Sequence, residues 1–100
     1  MFIESVRNVL GKLALMDDDD PRMEDTLQRL LDLLLQDEEK TIQFMEQASR
    51  KELLLISELF PEVVYAFGSQ YFLEYIYSLD KKHPELDLLR HIETDPKYIN

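Results

Sequence analysis

An all-α fold follows from three features of this chain. Apolar residues recur at helical spacing along most of its 100 residues, and the two glycines and four prolines leave little material for the tight turns of an all-β fold. Helix-start signals at Asp20-Pro21, Asp37, Ser49 and Ser69 then divide the sequence into five or six short helices.

The first helix is expected from Phe2 to Leu15, with Phe2, Val6, Val9, Leu10 and Leu13 on one stripe. The acidic run Asp17 to Asp20 ends that pattern. Asp20 and Pro21 form a start signal, a capping side chain followed by a proline whose missing N–H costs nothing at a helix start. A second helix is expected from Pro21 to Gln36, with Met23, Leu27, Leu30, Leu31 and Leu34 inward and Leu33 and Leu35 widening its apolar face. Asp37 caps a third, with Ile42, Met45 and Ala48 inside, and Glu38 and Glu39 favourably placed against its positive N-terminal dipole. Ser49-Arg50-Lys51-Glu52 has the form of a capping box and opens a fourth. Leu53 to Ile56, Leu59 and Phe60 make that helix apolar nearly all round, as a central element requires, until Pro61 ends or kinks it. A short helix from Glu62 to Phe67 stops at Gly68. Ser69 caps a long helix reaching Lys82, and its 72/76/79 spacing and Glu74 outweigh the strand-like aromatic composition of 71–77. His83-Pro84 restarts the chain into a last helix marked by Leu86, Leu89 and Ile92, ended by Asp95-Pro96 and followed by a tail from Lys97 to Asn100. Connections of two to four residues imply antiparallel neighbours. A compact array resembling a helical-repeat unit and an irregular bundle both satisfy these lengths. The whole length reads as a single helical domain, with acidic helices over 1–48 and aromatic helices over 49–95.

Charge is unevenly distributed. The net charge is −10, and Asp17 to Lys40 holds ten acids against three bases, while the rest holds eleven against eight. An acidic face raises encounter rate and selectivity for cationic surfaces, and it repels nucleic-acid phosphates and anionic membrane. Forty-five per cent apolar residues argue against disorder. The absence of cysteine removes disulfides, thiolate metal sites and cysteine nucleophiles. The opening Met1-Phe2-Ile3-Glu4-Ser5 has no basic segment leading into an apolar run, so neither a signal peptide nor a membrane span is expected, and the chain reads as cytoplasmic.

The residues offer little catalytic chemistry. His83 and His91 lack any companion motif for general-base, nucleophilic or metal-dependent work, and no phosphate-binding glycine loop occurs. The consecutive Asp17 to Asp20, with no glycine and an intervening proline, do not match a calcium loop. We therefore expect no enzyme, metal or cofactor. The candidate partner-binding residues are Asp17, Asp18, Asp19, Asp20, Glu24, Asp25, Asp37, Glu38 and Glu39. A second candidate patch is Tyr71, Glu74 and Tyr75. In it, rigid tyrosine rings supply contact area and carboxylates receive basic side chains. Against this stands the plainer reading that the tyrosines close the core and the acids keep the chain soluble.

The second half carries a more specific pattern: Ser57-Glu58-Leu59-Phe60-Pro61-Glu62, Gly68-Ser69-Gln70-Tyr71-Phe72-Leu73, Leu79-Asp80-Lys81-Lys82-His83-Pro84-Glu85-Leu86-Asp87-Leu88 and Ile92-Glu93. Over Ser49 to Ile92 this resembles small, acidic, helical immunity proteins of bacterial contact-dependent inhibition and polymorphic toxin systems. His83 stands where that pattern has a tyrosine, and the first half offers no distinctive match. The resemblance implies a protein that neutralises a cognate toxin domain, commonly a nuclease with a basic groove, by covering its active site or substrate groove. A monomer in a 1:1 complex is expected. Two other readings compete: an acidic mimic of nucleic acid, which needs negative charge spread along one long face, and a structural adaptor with an exposed apolar patch.

Overall fold

The computed structural model describes residues 1–93. Among these it contains seven α-helices, one 3-10 turn and no strand. The helices are α1 (Phe2–Ala14), α2 (Met23–Leu34), α3 (Glu38–Gln47), α4 (Arg50–Ser57), α5 (Phe60–Phe67), α6 (Gln70–Lys82) and α7 (Arg90–Glu93), with the 3-10 turn at Pro84–Leu86. The all-α class expected from periodicity is present, and the short α5 and α7 bring the count to seven. None of these helices is long and apolar enough to cross a membrane. The expected Asp95-Pro96 stop and the tail lie outside the described residues.

The first two helices form an antiparallel pair. Phe2 and Ser5 share a cleft with Leu33 and Gln36, while Lys12 and Leu15 share another with Arg22 and Arg29. Val6, Val9, Leu10 and Leu13 are buried, as the α1 stripe requires. On α2, Leu30 and Leu34 are fully buried, with Leu27, Leu31, Leu33 and Leu35 half-buried around them. The start of α2 differs from the expected one. Arg22 occupies its N-cap position, and its side chain caps none of the helix N–H groups. One turn earlier, Asp20 Oδ1 accepts from the Arg22 backbone N–H at 2.8 Å, and the Asp20 carbonyl accepts from Met23 at 3.0 Å. Asp20 thus still satisfies an orphan donor, but Pro21 closes a tighter i→i+3 turn before the regular ladder begins.

Three caps hold as the sequence implies. Asp37 accepts from the Lys40 N–H at 3.0 Å, and Ser69 accepts from the Phe72 N–H at 3.2 Å. Ser49 and Glu52 exchange both bonds of a capping box at 2.9 and 3.1 Å. Gly68 ends α5 in the left-handed region at φ +56°, where a side chain is disfavoured.

Three details depart from the expected pattern. First, α4 stops at Ser57. Pro61 has no N–H for the Ser57 carbonyl four residues back, and its ring crowds that carbonyl. Leu59 closes an i→i+3 bond to Ile56 at 2.8 Å, and Phe60-Pro61 becomes the first turn of α5. Phe60, Pro61, Val63 and Val64 are buried while Leu54 and Leu55 are half-buried, so α5 shares the central position expected of α4 alone. Second, α3 turns Thr41, Phe44 and Met45 inward, leaving Ile42 and Ala48 half-buried. The buried Thr41 hydroxyl donates to the Leu34 carbonyl at 2.6 Å, satisfying the end of α2. Third, the last helix is divided. Asp87 adopts φ 50°, so Leu86 and Leu88 are buried from a turn and Ile92 from α7, with Leu89 half-buried.

Candidate functional site

The acids of the first candidate set fall into two groups, one at each end of α2. Asp17, Asp18 and Asp19 are exposed in the α1–α2 connection, with Glu24 and Asp25 exposed on the first turn of α2. Asp37, Glu38 and Glu39 open α3 beyond the far end. The nine helical residues from Thr26 to Leu34 separate the groups, about 14 Å of axis. They do not form one continuous patch.

The first group is interrupted by bases. Asp20 is half-buried and paired with Arg22, whose Nε and Nη2 donate to the two carboxylate oxygens at 3.1 and 2.8 Å. Arg22 donating from side chain and backbone holds the Asp20 carboxyl down to about 2. Beside it, a cleft of about 420 Å³ between α1 and α2 is lined by Lys12, Arg22 and Arg29 as well as Leu15 and Asp25. Asp17, Asp18 and Asp19, by contrast, have no ion-pair partner among the described residues. Their charge is available to an incoming cation.

The second group is joined to the tyrosine patch. Glu38 Oε1 accepts from the Ser69 hydroxyl at 3.3 Å, and Glu46 Oε2 accepts from the Tyr75 hydroxyl at 2.8 Å. Lys82 Nζ lies 3.6 Å from the same Glu46 oxygen. Contacts thus run from start to start and from end towards end, so α3 and α6 lie side by side in the same sense. Asp37 serves as a cap, Glu38 as a link between helices, and Glu39 remains exposed.

Tyr71 lies one turn before the adjacent Glu74 and Tyr75 on α6, and the three differ in accessibility. Tyr71 is 64 % exposed and Glu74 is exposed. Tyr75 is half-buried and packs against the core, and its hydroxyl is held by Glu46. Burial first, then the hydrogen bond and negative charge of Glu46, push its ionisation above the ordinary tyrosine value of 10.0. Tyr75 is therefore a neutral donor tying α6 to α3, and Tyr71 and Glu74 are the accessible members. Sequence reasoning missed Glu46, since its bond to Tyr75 spans 29 positions and leaves no local spacing signal.

Among the described residues no group of three or more His, Asp or Glu is arranged to hold a metal ion. His83 Nδ1 lies 3.9 Å from Glu85. The chain matches no protein-family model, and no curated protein or solved structure is significantly similar to it.

Proposed function

We propose that this chain is an immunity protein that binds a cognate basic toxin domain, of nuclease type, and blocks its active site or substrate groove. Its partner is a protein, its action needs no cofactor or catalysis, and it works in the cytoplasm as a monomer in a 1:1 complex. The resemblance over Ser49 to Ile92 supplies the class. The observation carrying the electrostatic part is the exposed Asp17-Asp18-Asp19 run with Glu24 and Asp25, unmatched by ion pairs on its own surface. Such a field draws cationic surfaces in and competes with phosphates for a nuclease groove. An interface on the order of 1,600 Å² is sufficient for a stable complex.

Mimicry of nucleic acid is less well supported. Its required row of charge is broken by the Lys12, Arg22 and Arg29 cleft and by the distance between the two acidic groups. The test of the immunity reading is co-expression with the basic C-terminal domain of a large secreted protein encoded immediately upstream. Restored growth and a co-purifying 1:1 complex are expected. A toxic domain that remains lethal and elutes separately would overturn the reading.

A further inference from the structure

Resting on the reading of this chain as a binder of a basic protein domain, we infer that the cleft between the end of α1 and the start of α2 seats a carboxylate side chain of that partner. Acids outnumber bases 21 to 11 in the chain, yet three bases and a single acid line this cleft. Lys12 stands on the α1 side and Arg22 and Arg29 on the α2 side, with Asp25 between the two arginines in sequence. Leu15, 88 % exposed, and the half-buried Met16 supply its apolar part.

The three bases are not equally engaged. Arg22 is taken by both oxygens of Asp20, at 3.1 and 2.8 Å. Lys12 and Arg29 are exposed and enter no ion pair or side-chain hydrogen bond among the described residues. Two carboxylates stand within a helical turn of Arg29, Asp25 four residues before it and Asp32 three after. Neither pairs with it, and Asp32 instead accepts from Gln28 Nε2 at 3.0 Å. Two open cationic groups, one from each helix, are thus set inside an acidic surface.

The surroundings choose the anion. Asp17 to Asp19 follow Met16 directly and Glu24 precedes Asp25, all of them exposed. A nucleic-acid strand entering the cleft would carry further phosphates across those carboxylates. A single carboxylate set among the bases of a protein meets no such penalty, because its neighbouring bases then face the surrounding acids. Its planar oxygens match the fork of Arg29, and Lys12 adds a point charge from the other helix. The methylene stem finds an adaptable apolar surface in Leu15 and Met16. A basic centre bordered by acids also fixes register, since a partner offering bases alone would set one of them against Arg29 and Lys12.

The test is an NMR titration of the full chain with acetyl-Lys-Lys-Glu-Leu-Lys-Lys-amide and its counterpart with glutamine in place of glutamate. Saturable shifts at Lys12, Leu15, Met16, Thr26 and Arg29 are expected with the glutamate peptide, which should bind roughly threefold tighter than the glutamine one. Non-specific attraction to a chain of net charge −10 predicts the reverse order, since the glutamine peptide is the more positive. Arg29→Gln and Lys12→Gln should each weaken the glutamate peptide roughly threefold without weakening the glutamine peptide. Lys81→Gln on α6, the same charge change outside the cleft, should weaken neither. All three positions are exposed, and an unchanged far-UV spectrum verifies folding. Tighter binding of the glutamine peptide, no shifts in the cleft, or equal effects of Arg29→Gln and Lys81→Gln would overturn the inference. The two proposals fail separately. Glutamate selection by the cleft without toxin neutralisation removes the immunity role, and neutralisation with a cleft that ignores glutamate removes the carboxylate seat.

Discussion

Glu52 is placed so that each carboxylate oxygen serves a different element. Oε1 accepts from the Ser49 backbone N–H at 2.9 Å and completes the cap of α4, while Oε2 accepts from Arg7 Nε of α1 at 3.1 Å. The Arg7 guanidinium also lies 5.5 Å from the centre of the buried Phe44 ring, so one chain of contacts joins α1, α3 and α4. Burial opposes ionisation of Glu52, but the Ser49 and Arg7 bonds outweigh it and hold the carboxyl below its ordinary 4.5. Glu52→Ala should destabilise by about 1–2 kcal/mol, read as a lower urea midpoint at neutral pH. Glu52→Gln should cost about half as much, since an amide oxygen still caps. The sign with pH follows from the lowered values. A depressed folded-state carboxyl contributes stability above its unfolded value, and the contribution is lost as pH falls through the folded one. For Asp20 that window runs from 3.8 down to about 2. Glu52→Gln should therefore flatten the loss of stability that the natural chain shows on acidification below 4.5. An identical slope in both proteins would contradict this.

At the scale of the helices, the two glycines make opposite predictions. Gly11 is exposed inside α1, and a methyl group built there meets nothing within 4 Å. Gly11→Ala should raise stability by about 0.5–1 kcal/mol through helix propensity and a less flexible unfolded chain. Gly68 has the same free space but φ +56°, so Gly68→Ala should lower stability by about 1 kcal/mol. Thermal melts of the two variants decide the matter, and shifts of equal sign would contradict the account. What the sequence made legible follows the same division between local and distant causes. Caps at Asp37, Ser49 and Ser69 act over three residues, so their spacing alone reveals them. Pro61 was visible as a breaker, but the break falls at the carbonyl it cannot serve, four residues upstream. The inward rotation of Phe44, the left-handed Asp87 and the Glu38–Ser69 and Glu46–Tyr75 links depend on packing between α3 and α6 or around the last turn. No periodicity encodes those. The same contacts explain why Tyr75, indistinguishable from Tyr71 by spacing, is a structural link while its neighbour faces solvent.

Across the whole molecule, a net charge of −10 makes itself felt before any contact forms. The field near α2 comes from two acidic groups about 14 Å apart along the helix axis, more than a Debye length at physiological salt. They therefore steer as separate centres, with the unpaired Asp17-Asp18-Asp19 run the stronger and the Arg22-paired Asp20 contributing little. Neutralising Asp17, Asp18 and Asp19 to Asn should slow association with a basic partner while leaving dissociation nearly unchanged, because rim charges act mainly on the encounter. The most direct measurement of the proposed role is the association rate with the basic toxin domain proposed as its partner, followed by stopped flow from about 20 to about 500 mM salt. A fall of about an order of magnitude or more across the series is expected, much reduced in the triple Asn variant. A rate that stays flat with salt, or the absence of any complex at low salt, would contradict it.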